Sequence, residues 1–203
     1  LGQNVNSYRA DGLDFAGLLD RAADTGIPWI RFLTSHPRDL TGDMLRVMAG
    51  RTNICNHLHL PLQSGSDTVL AAMNRGYTVA QYERQVEEAR AAVPGLSLTT
   101  DLIFGFPGET EDDFRRTLDL MRRVRYDYAF LYRYSERSGT RAATMEDSVP
   151  EEVRIARLSE AIELQQKITG DKHRSLAGET VRVLVKSRSK DGAGWFGFSE
   201  QSI

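Results

Sequence analysis

The chain has 203 residues and a formal net charge of −2, with 40% hydrophobic and 27% charged residues. This balance is typical of a globular protein and excludes both a disordered chain and a uniformly basic nucleic-acid-binding protein. Cys55 is the single cysteine, which excludes an internal disulfide and leaves no cysteine pair for zinc or an iron–sulfur cluster. Because the sequence has neither a membrane-length apolar run nor a recognisable signal peptide, we expect a cytoplasmic protein without a membrane partner.

The first 134 residues alternate between helix and strand patterns. Helices are predicted at residues 14–23 and 41–50, and a short one that contains Val69, Leu70 and Met73. Two further helices are predicted to begin at a capping box of Thr78 and Gln81 and at an N-cap residue, Thr110. Strands are predicted at residues 29–33, 54–60, 96–104 and 126–134. This order favours an α/β fold with parallel strands, in a barrel or an open sheet, whose active-site loops follow the carboxyl ends of the strands. No GxGxxG or P-loop motif is present, which argues against the two common nucleotide sites.

The pattern changes after residue 134. Residues 135–149 are polar and predict a long loop, and a helix is predicted from Pro150 to about Leu176. Residues 180–186 alternate in polarity and predict a half-buried strand. We therefore divide the chain into a domain at residues 1–177 and a small β domain at residues 178–203. The basic side chains of the second domain are candidate RNA-binding residues: Arg182, Lys186, Arg188 and Lys190.

Five segments resemble one known family in their order along the chain. They are GQNVNSY at residues 2–8, TSHP at 34–37, HLPLQSGSD with MNRGYT between 59 and 78, DLIFGFPGET at 101–110 and YRYSERSGT at 132–140. Together they resemble the loops of the tRNA methylthiotransferases, which are radical S-adenosylmethionine enzymes. The opening segment resembles the branch that modifies isopentenylated adenosine beside the tRNA anticodon. The end of the chain resembles the start of TRAM, the small β-barrel that grips tRNA in this family.

The resemblance implies a partial TIM-like barrel that binds S-adenosylmethionine and transfers a methylthio group to N6-isopentenyladenosine of tRNA, in a monomeric enzyme. It also implies two 4Fe-4S clusters, one of them held by a C-x3-C-x2-C loop that generates a carbon radical from the cofactor. The cysteines for both clusters are absent from this sequence. The chain also opens without a methionine and stops after a strand-like stretch. We therefore expect a fragment that is inactive alone, and we assign no catalytic residue and no metal ligand to it.

Nine residues are candidates for cofactor binding: Gln3, Asn4, Asn6, Gln63, Ser64, Ser66, Arg75, Asp101 and Gly105. The resemblance favours Arg75 as the partner of the methionine carboxylate, which a guanidinium can bind at two points. Each candidate also has an ordinary structural interpretation. The two serines can cap the next helix, the asparagines suit a turn, and Gly105 allows a tight backbone. Asp101, an acid within a strand, either faces the barrel interior or forms an ion pair.

Other conspicuous residues have mainly structural interpretations. His36 is either a proton-transfer group or part of a turn. His57 and His59 share one strand face and favour a buried, hydrogen-bonded arrangement over a metal site. The aromatic residues that alternate between 126 and 134 predict a packed strand face, and Cys55 a core position.

Three rival functions remain open. The first is a methylthiotransferase that acts on a ribosomal protein and does not need the basic tail. The second is an ordinary barrel enzyme such as an aldolase, although no lysine lies on a predicted barrel strand to form a Schiff base. The third is a non-catalytic RNA-binding module, for which tRNA binding would be salt-sensitive and independent of any cofactor.

Overall fold

The computed structural model describes residues 4–145 and 148–201. The helices are α1 Phe15–Ala23, α2 Gly42–Gly50, α3 Asp67–Ala72, α4 Val79–Ala92, α5 Glu111–Val124 and α6 Glu151–Ser175. The strands are β1 Arg9–Ala10, β2 Leu13–Asp14, β3 His57–His59, β4 Ser97–Phe104, β5 Tyr128–Arg133, β6 Val183–Arg188 and β7 Trp195–Ser199. Short 3-10 turns occur at Val5–Ser7, Pro37–Asp39 and Arg141–Thr144.

Threonine side chains begin three of the helices, as the sequence predicts. Thr41 accepts a hydrogen bond from the backbone in the first turn of α2. Thr78 and Gln81 form the expected capping box at α4, with distances of 3.2 and 2.8 Å. Thr110 and Asp113 form a second capping box at α5. Each cap satisfies backbone donors that the helix itself leaves without partners, so the local sequence fixes where these helices start.

The central feature is a parallel sheet in the order β3–β4–β5, with helical crossovers between its strands. His59, Thr99 and Tyr128 are register partners across the three strands. Partners in adjacent strands point to the same face, so these residues mark one side of the sheet. The expected parallel α/β arrangement is confirmed.

Two of the predicted strands are shorter than expected. The stretches at 29–33 and 54–60 meet through one parallel bridge between Ile30 and Ile54. Beyond that bridge, Asn56 turns to the other neighbouring segment: its carbonyl accepts from the N–H of Ser97, and its side-chain amide donates to the carbonyl of Pro94. The N–H of His57 donates to the carbonyl of Cys55 at 2.7 Å and is not available to the first stretch, so only His57–His59 forms a regular strand here.

The helix-covered face of the sheet, called here the outer face, is mainly apolar; the hydroxyl of Thr100, its one polar side chain on β4, donates to the carbonyl of Leu60 and accepts from the N–H of Leu62. Its central side chains are completely buried: Leu58, Leu98, Leu102 and Phe104. Phe104 meets Phe114 of α5 edge to face, with ring centroids 5.9 Å apart. Tyr126 also packs into this core and is fully buried. The expectation that Tyr126 shares one strand face with Tyr128 is therefore wrong, because Tyr126 precedes β5 and the helices cover it.

Helix α6 runs beside β5 and is anchored to it by polar contacts. The amide of Gln165 donates to the carbonyl of Tyr126 at 3.0 Å, and the hydroxyl of Thr169 donates to the carbonyl of Asp127 at 3.0 Å. Lys172 pairs with the carboxylate of Asp127 at 2.8 Å. These bonds satisfy backbone groups at the start of β5 and fix α6 against the strand.

The last two strands form an antiparallel hairpin that touches the barrel at one place. The guanidinium of Arg31 donates to the carbonyls of Ser199 and Glu200, and the guanidinium of Arg182 lies 5.4 Å from the ring centroid of Trp29. All six residues of β6 are exposed. The prediction of a half-buried strand at residues 180–186 is therefore wrong. Within the described residues, no apolar layer covers either face of β6. The domain boundary at 177 and the likeness to TRAM stay predictions.

Within residues 4–145 and 148–201, no helix combines the length and apolar character needed to cross a membrane. Cys55 is buried at the start of the sheet, where its N–H donates to the carbonyl of Ile30 at 2.9 Å. Cys55 is therefore a core residue, as expected. This burial raises the pKa of its thiol above the ordinary value.

Candidate functional site

A cavity of about 520 Å³ opens at the carboxyl ends of β4 and β5. It is lined by Gln63, Asp101, Ile103, Phe106, Tyr132, Arg133, Tyr134, Ser135, Arg137, Thr140 and Ala142. The carboxyl edge of a parallel sheet is where ligands of α/β proteins bind, because the loops there are free to vary. Two of the predicted cofactor-binding residues, Gln63 and Asp101, meet in this cavity.

Gln63 is held in an unusual backbone conformation at the cavity. Its φ is +78°, in the left-handed region that residues other than glycine adopt at a cost of about 1–3 kcal/mol. Two backbone bonds keep it there: its N–H donates to the carbonyl of Asp101 at 2.8 Å, and its carbonyl accepts from Ile103 at 2.9 Å. Backbone strain that neighbouring segments maintain in this way is typical of residues at ligand-binding sites.

Asp101 belongs to a polar row on the second face of the sheet, called here the inner face. Its carboxylate lies 3.5 Å from Nε2 of His59. The hydroxyl oxygen of Thr99 lies 2.9 Å from Nδ1 of His59 and 3.1 Å from Nε2 of His57. Burial, aided by the charge of Arg31, lowers the pKa of His57 to about 4. His57 and His59 thus form the expected buried, hydrogen-bonded face. Asp101 contacts His59 and also lines the cavity.

One residue that lines the cavity has a buried polar atom without a partner among the described residues. This atom is the hydroxyl of Tyr134, whose ring packs edge to face on Phe106 at 5.3 Å. Arg137 also lines the cavity and forms no ion pair with any described residue. A buried hydroxyl without a partner costs about 1–3 kcal/mol, so a polar ligand at this position would be stabilising.

The turn after β4 is held by an ion pair buried against α6. Gly105 has a φ of +74°, and a Cβ there would lie 2.1 Å from the side chain of Arg154. Its N–H donates to the carboxylate of Glu109 at 2.9 Å, which Arg157 contacts at 2.7 Å. Burial raises the pKa of Glu109 despite these two partners. Gly105 is thus required by close packing, and it is near the cavity but does not line it.

Ser64 and Ser66 are almost completely buried and use their hydroxyls internally. The Ser64 hydroxyl accepts from the N–H of Ser66 at 3.2 Å, and the Ser66 hydroxyl donates to Asp113 at 2.5 Å. Burial acts to raise the pKa of Asp113, but hydrogen bonds from Ser66 and Thr110 outweigh it and lower that pKa. Between the serines, Gly65 packs directly on the backbone of Thr117. The structure brings neither serine to the cavity, and their ligand role stays a prediction.

Arg75 lies in a second group of polar residues, beside the cavity rather than in it. Its Nε donates to the hydroxyl of Tyr77 at 3.2 Å. That hydroxyl in turn donates to the carbonyls of Pro61 and Leu62, directly before Gln63. Arg75 is therefore connected to the cavity through Tyr77, and its binding of a carboxylate stays a prediction.

The asparagines of the first loop join the same second group. The amide of Asn4 donates to Asp39 at 2.7 Å, and Asn6 exchanges two bonds with the backbone of His36. The ring of His36 packs edge to face on Tyr77 at 5.6 Å. Burial, with Arg75 and Arg38 nearby, lowers the pKa of His36. The Asn4 side-chain oxygen has no partner among the described residues. Gln3 lies outside those residues.

The predicted RNA-binding residues all lie in or beside the β6–β7 hairpin, but two of them already contact other side chains of the protein. Arg182 packs on Trp29 and pairs with Glu200, and Arg188 lies 5.0 Å from the ring centroid of Trp195. Lys186 and Lys190 are exposed. A basic face of this kind can contact phosphates, although two of its four cations are already occupied.

Nine of the eleven residues that line the cavity were not predicted as cofactor-binding, among them Tyr132, Tyr134 and Arg137. The two tyrosines stand at alternate positions at the end of β5, and that period of two at a strand's carboxyl end was the available signal. Arg137 follows in a loop, where spacing alone does not indicate the direction of a side chain. In the part of the chain that the structure describes, no group of three or more His, Cys, Asp or Glu side chains could hold a metal ion.

Comparison with known proteins gives a consistent result. Residues 2–121 match the family model described as the Radical SAM superfamily. The chain is 53% identical over 194 residues to tRNA-2-methylthio-N(6)-dimethylallyladenosine synthase of Carboxydothermus hydrogenoformans, which covers 94% of this chain and 44% of that relative. It is 45% identical over 212 residues to the same synthase of Treponema denticola, covering 99% of this chain and 47% of that relative. The chain thus spans about half the length of the relatives it matches.

Among solved structures, coproporphyrinogen III oxidase of Escherichia coli, described as a radical SAM enzyme, aligns with a TM-score of 0.59. The identity is 21%, and the alignment covers 69% of this chain and 32% of that one. At this identity the match concerns the fold alone, and it agrees with a partial barrel of parallel strands.

Proposed function

This chain belongs to the radical SAM superfamily, and we propose that it forms the cofactor- and substrate-holding wall of an enzyme that methylthiolates tRNA. The substrate in this proposal is N6-isopentenyladenosine next to the anticodon. The observation that carries it is the identity of about half of all residues with synthases named for this modification. The proposal includes a monomeric enzyme in the cytoplasm, where tRNA is modified.

The cavity at the carboxyl ends of β4 and β5 fits part of S-adenosylmethionine. Gln63 and Asp101 offer an amide and a carboxylate, which are suited to ribose hydroxyls, and the partnerless hydroxyl of Tyr134 offers a further hydrogen bond. Phe106 and Ile103 supply apolar walls. When bound, S-adenosylmethionine supplies the carbon radical in this class of enzyme. The residues of this chain hold the cofactor, keep its polar groups paired and exclude water around it.

The residues of this chain do not fit an iron–sulfur cluster. Three cysteines are needed for a C-x3-C-x2-C loop, and Cys55 is the single one in the sequence. Cys55 is buried before β3, whereas the cavity lies beyond the carboxyl ends of β4 and β5. We therefore derive no step through a cluster, and we propose that these 203 residues are inactive without cysteines from elsewhere.

Calorimetric titration with S-adenosylmethionine tests the cofactor part of the proposal. We expect Asp101→Asn to weaken binding by about ten-fold, since a lost hydrogen bond to a charged group corresponds to roughly 1.5–3 kcal/mol. The control is Asp112→Asn, which changes an exposed acid on α5 that pairs only with Arg116. Equal affinities of the two variants would contradict the assigned site.

The reaction itself is tested in a chimera. In the Carboxydothermus synthase, the aligned segment is replaced by this chain, and tRNA nucleosides are analysed by mass spectrometry. We expect 2-methylthio-N6-isopentenyladenosine to form. A folded, iron-loaded chimera that cleaves S-adenosylmethionine but leaves tRNA unmodified would contradict the proposed substrate.

A further inference from the structure

Three aromatic side chains stand exposed on the inner face of the edge strand β5. Tyr128, Phe130 and Tyr132 are 52%, 44% and 51% exposed. Large aromatic side chains on a strand are usually packed, so a row of three that is open to solvent calls for a ligand. We name these three residues the aromatic row.

Neighbouring rings fix the orientation of Phe130 and Tyr128 in the aromatic row. Phe130 packs edge to face on His59 at 5.8 Å and on Tyr128 at 5.0 Å. His59 is in turn held by Thr99 and Asp101. The rings are therefore pre-oriented by the polar row of the inner face, which reduces the entropy lost when a planar ligand binds.

The row leads from a groove into the candidate cofactor cavity. A second cavity of about 580 Å³ runs along β5 and is closed on its other side by Ile162, Gln166, Thr169 and His173 of α6. Tyr132 lines both this groove and the cavity that contains Gln63 and Asp101. A ligand lying on the row would thus reach the predicted cofactor at its Tyr132 end.

The charges around the row suit a polyanion. Among the described residues, Asp101 is the only acid that lines either cavity, whereas Arg133 and Arg137 line the cavity with Asp101, and Arg133 is already paired with Glu151. Arg137 has no acidic partner among the described residues. Tyr128 and Phe130 are in edge-to-face contact at 5.0 Å, so a planar group can stack on the exposed faces of the rings but not between these two. Unpaired bases joined by phosphates have this combination of planar faces and negative charge.

We propose that Tyr128, Phe130 and Tyr132 form a stacking surface for unpaired bases of an RNA loop, with Arg137 as its phosphate contact. The proposal rests on the proposed function, since it assigns the binding of the RNA substrate to this face. In this proposal the bases of the RNA contact β5, and the basic residues around β6 are not the main contact with the bases. An extended peptide that pairs with the free edge of β5 is the competing occupant, and the test separates the two.

The test measures how this chain binds a fluorescein-labelled RNA hairpin whose loop carries N6-isopentenyladenosine, by fluorescence anisotropy. We expect Tyr128→Leu and Tyr132→Leu to weaken binding at least about five-fold each, because base–aromatic stacking is lost. Tyr132→Phe keeps the ring and should retain the affinity. Tyr8→Leu is the matched control, since Tyr8 is 37% exposed and lies outside the row.

A second measurement separates stacking from a structural effect. A loop base is replaced by 2-aminopurine, whose fluorescence is quenched by stacking on an aromatic ring. We expect quenching by the chain and by Tyr132→Phe, and recovery of the fluorescence in Tyr132→Leu. Arg137→Gln should weaken binding and make it less dependent on salt.

Unchanged RNA affinity in both leucine variants would overturn the inference and would assign RNA binding to the β6–β7 hairpin of the protein. Failure of the chain to bind the RNA hairpin would overturn it as well. Neither result affects the calorimetric titration with S-adenosylmethionine, so loss of this inference and loss of the proposed function are distinguishable.

Discussion

The two faces of the central sheet are built from alternate residues of the same strands, yet they differ in polarity and, on β5, in exposure. On the outer face, Leu102 and Phe104 are completely buried beneath the helices. On the inner face, Asp101 lines a cavity and Tyr132 is half exposed. Stability is therefore concentrated on one side, and groups able to bind a ligand on the other. Because side chains alternate with a period of two, a register shift of one residue would exchange the faces and abolish both.

The largest expected effect concerns the polar clamp between α6 and the turn after β4. Arg157→Ala should lower the free energy of unfolding by about 3–5 kcal/mol, because Glu109 is left buried without its cation. Arg115→Ala removes exposed pairs with Glu111 and Glu160, which solvent screens, and should lower the free energy of unfolding much less. Urea unfolding followed by circular dichroism measures both. A loss in Arg157→Ala no larger than in the control would contradict a stabilising role for the clamp.

The comparison of faces is tested most directly by one substitution on each. Leu102→Ala should cost about 2–5 kcal/mol, because it opens a space in a core that cannot collapse fully. Tyr132→Leu on the inner face should change the stability by only about 0.5 kcal/mol. The same urea unfolding experiment applies. If the two variants lost equal stability, the functional interpretation of the inner face would fail.

The inner face still carries one pH-dependent element of stability. The pKa of His57 is about 4 in the folded chain because of burial, whereas an unfolded histidine titrates near its ordinary 6.5. Between these values the unfolded state binds the extra proton, so stability is full above pH 6.5 and falls as the pH drops towards 4. From pH 7 to pH 5 the loss should be about 2 kcal/mol.

The variant His57→Gln should remove most of this pH dependence. His36, whose pKa is also lowered by burial, contributes in the same direction, whereas Glu109, whose pKa burial raises, contributes in the opposite one. The exposed His173 provides the control, and His173→Gln should keep the full slope. Urea unfolding at pH 7 and pH 5 gives the comparison, and equal slopes in all three proteins would rule out His57 as the cause.

The smallest expected effect has the opposite sign. Gln63→Gly should raise the free energy of unfolding by up to about 1 kcal/mol, because glycine adopts a φ of +78° without strain. Gln63→Ala keeps the strain and should bring no gain. Both variants should bind S-adenosylmethionine more weakly in the calorimeter. A Gln63→Gly protein that is more stable and binds equally well would mean that the strain has no function.

Local features of this fold were accessible from the sequence. The caps at Thr41, Thr78 and Thr110 were predicted correctly, because the partners of a helix cap lie within three residues. The buried pair of Glu109 and Arg157 was not foreseen, since nothing in their spacing indicates that α6 returns to that turn. Contacts between distant segments depend on packing, which the sequence pattern does not encode.

The same limit explains the candidate site. Gln63 was identified because it lies in a polar loop after an apolar strand, where α/β proteins bind ligands, and Asp101 because an acid within a strand needs a site or an ion pair. Arg75 was expected at the cofactor, but the structure connects it through Tyr77. Tyr126 and Tyr128 belong to one alternating run and yet lie on opposite sides, because the helices cover only the first.

Cys55 offers one more consequence of how the hairpin meets the barrel. The thiol is 3% exposed, and its pKa is raised by burial in the presence of Arg31, the residue that binds the hairpin carbonyls. A thiol reagent at neutral pH therefore reacts only while the structure around the thiol is open. Since the sequence has no other cysteine, the rate of labelling reports the opening of this one region. The kinetics of a single chemical modification thus measure how firmly the segment that joins Arg31, Cys55 and the sheet is held.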